Sequence, residues 1–550
     1  MKLPMYSNSV LVALGLFASE ALASWQFRSR PDLDVPTLNI TIPADDETSS
    51  GYIFCAPFSG YADNTNHGPR QAAPYIFTED GELVWSGFSY FSIWATNFQA
   101  GKWNGKNVLF SFEGSHNPAY GHGHGHITIL DDKYETIKEL RAGNHKISDK
   151  HEFNIIDEKT GLIQIYQPVP KDLSAYGGSK EQQWIVDAVF QELDLETGEV
   201  LFEWSSLEHV SPEGSVLPIN PGQAGSGYNS SDAWDYFHIN SVDKDENGDY
   251  LISARDMASL YKINGKTGKV MWKLGGIPGN TSSSFTEAEK FQFGFQHHAR
   301  FVATSPDRKK QIISFYDNSA HGSEDKNGHE VHIAEHSSGK FVEVDTEKWT
   351  AKLLNNYVPP YQLLSKSQGS TQLLENGNVI VNWGSEGAMT EYTHEGKVVF
   401  HTFFDSGSLG ENVENYRAFK FDWHGYPTEQ IAVFSEITDS GDTIIYVSWN
   451  GDTETKKWKF YSVTDDGSKN LLGESKRTGF ETSFTSPNLT KAKIIAEAID
   501  VSGRVLSTSD EVVAEKQVLP YKANDSLAIG TKNFRSYFSW KAAQQIFLSN

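Results

Sequence analysis

The chain has one cysteine, Cys55, among 550 residues. No disulfide can form within it, so stability must come from a large buried core. The stretch "GYIFCAPFSG" around that cysteine is apolar and brings no charged neighbour, which reads as a buried, inert thiol. Positive charge is also scarce: 47 Lys and Arg stand against 71 Asp and Glu, a net charge of −24. That balance excludes nucleic acid or an anionic membrane as the main partner and serves solubility. Past the N-terminal segment no apolar run is long enough to span a bilayer, and no long amphipathic helix is legible. The closing "QQIFLSN" is neither a retention signal nor a lipid-anchor tail.

The N-terminus does carry an address. Residues 1–23 combine an early lysine, an apolar stretch from Val10 to Ala18, and small residues Ala21 and Ala23, the pattern of a signal peptide cleaved after Ala23. Five glycosylation sequons start at Asn39, Asn229, Asn280, Asn488 and Asn524, as suits a secreted glycoprotein or one held in the lumen of the secretory pathway.

Aromatic residues make up 13% of the chain and there are 46 glycines, the mark of a turn-rich β protein. One turn recurs: an acidic or polar residue, Gly, then an apolar strand ending in an aromatic. "EDGELVW" ends at Trp85, "ETGEVLFEW" at Trp204, "KTGKVMW" at Trp272 and "HEGKVVF" at Phe400. Weaker relatives lie near Lys133 and Glu347, giving six hairpins spaced a little over sixty residues apart on average. A second series runs out of phase: "NVLFSFEGS", "GLIQIYQPV", "DYLISARDM", "QIISFYDNS" and "NVIVNWGSE". Units of this length hold four short strands that cannot bury their faces alone, which predicts an all-β, six-bladed β-propeller over 24–426. From 427 to 516 strict alternation and regular turns predict an immunoglobulin-like β-sandwich, followed by a tail over 517–550.

In a propeller the first strand of each blade lines the axis, so residues far apart in sequence meet there. Those strands open with "HEFNI" at His151, "HINSV" at His238 and "HHARF" at His297, alongside Asn97 of "TNFQA" and "SQGSTQ" over 367–372. His151, His238, His297 and His298 can move protons near neutral pH, and Arg300 offers a cationic fork for a sulfate, phenolate or enolate oxygen. Asn97, Asn240 and Asn382 are neutral donors, and Trp94, Tyr166, Trp234 and Trp383 are candidate aromatic walls. "GHGHGH", His122 to His126, places alternate histidines on one strand face, a possible metal ligand set. With no cysteine or carboxylate beside it, a close backbone approach explains its glycines better, and no metal or cofactor is expected. The histidines from His321 to His336 lie in a charged stretch and read as exposed loop.

The ordered motifs "HEFNIIDEKTGLIQIYQPVP", "FQELDLETGEVLFEW", "DYFHINSVDKDENGDYLISARD", "FQHHARF" and "NGNVIVNWG" resemble the fungal branch of the arylsulfotransferase family over about residues 50 to 520. The resemblance implies a six-bladed propeller with an axial site. Bacterial members of the family move sulfate between phenols through a transient sulfo-histidine, without a nucleotide. His238 and Asn240 of "HIN", and His297 and Arg300 of "QHHAR", match the family pattern; "SQGSTQ" departs from it by lacking a histidine. Some fungal proteins of this appearance instead catalyse hetero-Diels–Alder cyclisation, joining a tropolone-type quinone methide to a humulene-type sesquiterpene. That chemistry needs a shaped pocket and hydrogen-bond donors rather than a nucleophile. The resemblance thus implies a small aromatic or terpenoid substrate, with cyclisation the leading expectation, sulfate transfer the alternative and a non-catalytic binding propeller the third.

Overall fold

The computed structural model describes residues 24–516, apart from 61–67, 92–93, 118–120, 221–223, 287–289, 323–329 and 490–491. The expected signal peptide, the tail and Asn524 lie outside the described residues. The sequon residues Asn39, Asn229, Asn280 and Asn488 are all exposed. No helix among the described residues is long and apolar enough to cross a membrane.

Six antiparallel sheets form the blades of a propeller. Innermost strand first, blade two is Ala95–Trp103, Lys106–His116, Gly123–Leu130 and Thr136–Leu140. Blade three is Phe153–Ile156, Thr160–Pro170, Trp184–Asp194 and Val200–Ser205; blade four is Ile239–Lys244, Tyr250–Ala254, Ser259–Ile263 and Val270–Gly275. Blade five is His297–Thr304, Lys310–Asp317, Ser338–Asp345 and Thr350–Tyr357. Blade six is Ser370–Leu373, Val379–Asn382, Ala388–Tyr392 and Val398–Phe403, with Asn39–Ile42 added outside. Blade one is assembled from two distant parts of the chain: Phe419–Phe421 supplies its inner strand, and Tyr52–Cys55, Tyr75–Phe77 and Leu83–Ser86 supply the rest. The ring is therefore closed twice, once by the N-terminal strand on blade six and once by the late strand in blade one.

The six expected turns are the outer hairpins of the six blades. Gly81, Gly198, Gly268 and Gly396 take φ of 85°, 75°, 70° and 91° there, the left-handed conformation glycine adopts without steric cost. The aromatic that ends each motif is buried: Trp85, Trp204, Trp272 and Phe400 pack in the apolar clusters that run through and between the blades. Trp204 also donates its indole N–H to Gly268 O at 2.9 Å, tying one blade to the next blade's turn.

Past the propeller, two sheets pack face to face on Ile445, Val447, Trp458, Phe460 and Ile494. One is Glu481–Ser486, Thr443–Ser448, Ala432–Ile437 and Glu515–Lys516; the other is Lys469–Lys476, Lys457–Val463, Lys493–Ile499 and Val505–Thr508. Asn450 joins sandwich to propeller, accepting from Ser86 N–H at 2.8 Å and donating to Ser86 O at 3.0 Å.

Cys55 is fully buried in blade one, and burial pushes its thiol well above the ordinary range. The native protein should therefore resist iodoacetamide at pH 8 and gain one carbamidomethyl group, read by intact mass, only in denaturant. Labelling at full rate in the native state would show the thiol to be exposed.

Candidate active site

Two short local motifs build the site. Asp149 precedes His151 by two residues; its carboxylate accepts the backbone N–H of His151 at 2.9 Å and also bonds the imidazole Nδ1. Asp235 precedes His238 by three residues and does the same, taking the backbone N–H at 3.1 Å and Nδ1 at 2.7 Å. Each aspartate thus folds the chain entering an inner strand and sets the tautomer of the histidine it holds. With Nδ1–H tied to a carboxylate, the Nε2 lone pair is left for attack or proton transfer. The two rings stand edge to face with centroids 4.8 Å apart.

Blade two completes the pair. His122 Nε2 lies 2.8 Å from Asp235 Oδ2, and Gly123 N–H donates to the Asp149 carboxylate. Tyr166 covers the group, its ring centroid 4.0 Å from His122, 5.1 Å from His238 and 5.4 Å from His151, while its hydroxyl donates to Ile239 O. Burial, with Lys150 and the neighbouring histidines, holds the His151 imidazole far below its usual range, so it stays neutral. Burial alone would raise the Asp235 carboxyl, but His238 and His122 beside it hold it well below the carboxylate range.

Lys150 is the middle residue of the first motif, between Asp149 and His151, and is only 3% exposed. Its ammonium lies 4.8 Å from the centroid of the Tyr416 ring and 5.9 Å from that of Trp94. Tyr416 also packs against His151 at 5.5 Å and His297 at 6.4 Å, and Trp94 lies tilted against His116 at 4.9 Å. These groups cluster at one end of the propeller axis, here the upper chamber.

A charged layer closes the chamber below. Arg417, at 0% side-chain exposure, donates to Glu152 Oε1 at 2.8 Å, to His151 O at 2.9 Å and to Asn240 O at 2.8 Å. Glu152 also holds Arg300 at 2.9 Å. Burial pushes the Glu152 carboxyl up, but the two guanidiniums outweigh it and keep the group ionised. Beneath this layer the opposite mouth opens into a pocket of about 500 Å³ lined by Gln99, Asn154, Asp243, His298, Arg300 and Phe421, among others.

Several expected site residues therefore stand apart from the chamber. Arg300 is not a cation awaiting an anion there: it lies on the far side of Glu152 and is bound to it. His298 faces the lower pocket, packed on Phe419 at 5.4 Å and bonded to Thr371. His297 reaches the chamber edge, but Nδ1 bonds Asn318 Oδ1 at 2.7 Å and Nε2 accepts from Gln368 N–H at 3.2 Å, which leaves it no lone pair for proton transfer. Asn240 donates to Gln296 O and Asn97 accepts from Gln99 and Arg417, both within the axial framework. Asn382 holds the carbonyls of Asn415 and Tyr416; Trp383 bonds Thr390 inside blade six; Trp234 packs in the core between blades three and four. These three are structural rather than chamber walls, because none lies on an inner strand: Asn382 ends the second strand of blade six, Trp383 follows it, and Trp234 precedes blade four. His321 is buried near Asp256, 4.0 Å away, rather than exposed.

His122, Asp235 and His238 offer three ligand atoms within 4.8 Å of one another, a set able to hold a metal ion. This is a different set from the alternate histidines of "GHGHGH", which sequence offered and set aside: His124 is exposed and His126 faces Glu113 at 3.6 Å. The N–O separations of 2.8 and 2.7 Å are hydrogen-bond lengths, shorter than the spacing of ligands spread around an ion, so the group is a carboxylate clamp on two imidazoles. Sequence reasoning missed Asp149, Asp235, Lys150 and Arg417; the first two carried a signal, an aspartate two or three residues before each strand-opening histidine.

Comparison with solved structures finds a protein of unknown function from Bacteroides caccae, at 11% identity and a TM-score of 0.36, covering 67% of this chain and 98% of that one. It also finds a catalytically inactive virginiamycin B lyase from Staphylococcus aureus with quinupristin, at 10% identity and a TM-score of 0.28, covering 74% and 92%. Nothing of their activities carries over at such likeness. No curated protein sequence matches. The model of the family described as Arylsulfotransferase (ASST) matches residues 99–405, more than half of the chain and all the residues of the two histidine motifs, and the chain belongs to that family.

Proposed function

We propose that this propeller transfers a sulfuryl group between phenolic molecules, with His238 as the nucleophile. The observation that carries the reading is the buried Asp235–His238 pair, in which Nδ1 is bound to the carboxylate and Nε2 has no hydrogen-bond partner among the described residues. Nε2 attacks the sulfur of an aryl sulfate, the S–N bond forms, the S–O(aryl) bond breaks and a phenolate departs. Asp235 stabilises the positive ring that results, and an acceptor phenol then takes the sulfuryl group from nitrogen. Family membership supports the same chemistry. The signal-like N-terminus and the exposed sequons support passage through the secretory pathway.

Incubation with 4-nitrophenyl sulfate and no acceptor should add one sulfuryl group to the intact mass, lost again when phenol is supplied. His238→Ala should gain none while its melting temperature stays within a few degrees of the parent. No adduct and no transfer from any aryl sulfate would overturn the reading. A second reading, hetero-Diels–Alder cyclisation of a tropolone-type quinone methide with a humulene-type sesquiterpene, is favoured by the flat aromatic walls Tyr166 and Tyr416 beside buried N–H donors. It forms no protein adduct, and its assay is cycloadduct formation from those two partners.

A further inference from the structure

Four lysines are buried among the described residues: Lys150, Lys262, Lys340 and Lys420. Three of them have carboxylate partners. Lys262 meets Asp245 at 2.6 Å, Lys340 meets Asp317 at 3.2 Å, and Lys420 meets Glu391 at 2.9 Å as well as Glu79. Lys150 makes no hydrogen bond or ion pair with a described residue; the faces of Tyr416 and Trp94 receive its charge, and the carboxylates of Asp149 and Glu414 act on it only from beyond ion-pair distance. A buried ammonium without an acceptor costs stability and persists where it has work to do. It lies in the chamber of the two carboxylate-held histidines, next to His151 in sequence and against the same Tyr416 ring.

We infer that Lys150 is the proton carrier of the transfer: its ammonium protonates the departing phenolate, and its amine takes that proton back from the acceptor phenol. The inference rests on the sulfuryl-transfer reading above. In the first half-reaction an aryl sulfate, neutral His238 and the Lys150 ammonium become a phenol, a sulfo-imidazolium and a neutral Lys150 amine. In the second, the acceptor phenol gives its proton to that amine as its oxygen attacks sulfur, the S–N bond breaks, and His238 is neutral again. No other co-reactant is needed. Burial pushes the Lys150 ammonium down to about 8, against the opposing pull of Asp149 and Glu414. An acid of that strength can be carried in either protonation state close to neutral pH. The groups that face it are His116, His151, Asp149, Glu414 and Arg417.

The test compares donors of different leaving ability. 4-Nitrophenolate departs without help, whereas phenolate from phenyl sulfate needs its proton. Lys150→Met should slow adduct formation from phenyl sulfate about a hundredfold more than from 4-nitrophenyl sulfate. Lys150→Arg keeps the positive charge but cannot release a proton, and should show the same donor bias. For phenyl sulfate the parent rate should fall as pH rises through about 8, where the ammonium is lost, and both variants should lack that limb. Equal slowing with both donors, or recovery of the parent rate by arginine, would overturn the proton-carrying role while leaving sulfuryl transfer intact. A parent protein that takes sulfate from neither donor overturns the transfer reading and this role with it.

Discussion

Arg417→Met should lower the free energy of unfolding by about 3–5 kcal/mol, the loss expected when one partner of a buried ion pair is removed. The guanidinium spans the axis: it rises from the segment just before the strand that closes blade one, binds Glu152 and the His151 carbonyl at the start of blade three, and reaches the Asn240 carbonyl of blade four. Without it, Glu152 keeps Arg300 and the Val242 N–H, His151 O keeps only the Tyr416 hydroxyl, and Asn240 O loses the guanidinium. The sign of the pH dependence is a second check. In the parent, Glu152 is held below its unfolded value, so its contribution is present above about pH 4.3 and is lost as pH falls through the folded value. In the variant, burial weighs more and the carboxyl rises, so the deficit is largest at neutral pH and shrinks on acidification. Urea unfolding at pH 4 and pH 7 reads both effects. An equal deficit at the two values would mean that Arg417 acts by packing alone.

Asp235→Asn should lower sulfuryl transfer by about three to four orders of magnitude and leave the fold in place. The amide still fills the space between His122 and His238, but its NH₂ presents a donor to Nδ1. That forces the proton onto His238 Nε2, the atom that must attack. Pre-steady-state adduct formation is the measurement, with far-UV circular dichroism as the control for folding. Comparable loss in Asp149→Asn would assign the nucleophile to His151 instead, since the two motifs are built alike.

The blade pattern was legible because each outer hairpin uses the same letters for the same reason: glycine for a left-handed turn and an aromatic for the gap between blades. The closure of blade one escaped because its inner strand, "FKF" over 419–421, carries no turn of its own and pairs with Tyr52–Cys55 from the other end of the chain. His151 and His238 were found from their place at the start of inner strands, and the structure puts both in one chamber. His297 and Arg300 have the same appearance in sequence, but their hydrogen bonds go to Asn318, Gln368 and Glu152, which no spacing reveals. Lys150 was invisible for a plainer reason. A buried ammonium and a surface lysine are the same letter, and only the want of a carboxylate within bonding distance sets this one apart.

The late strand of blade one also fixes when the molecule can exist. Until residue 421 has been made, Tyr52–Cys55 is an edge with unpaired backbone groups, and Glu152 is a carboxylate lacking one of its two guanidiniums. Pairing partners more than 360 residues apart make this a chain of high contact order, slow to finish and exposed to sticking at the open edge while it waits. The chamber is assembled by the same event, because Tyr416 and Arg417 arrive on the closing segment. A nascent or truncated chain can thus hold five complete blades and both histidine motifs and still have no catalyst, and folding helpers that shield strand edges would decide its yield more than core mutations do.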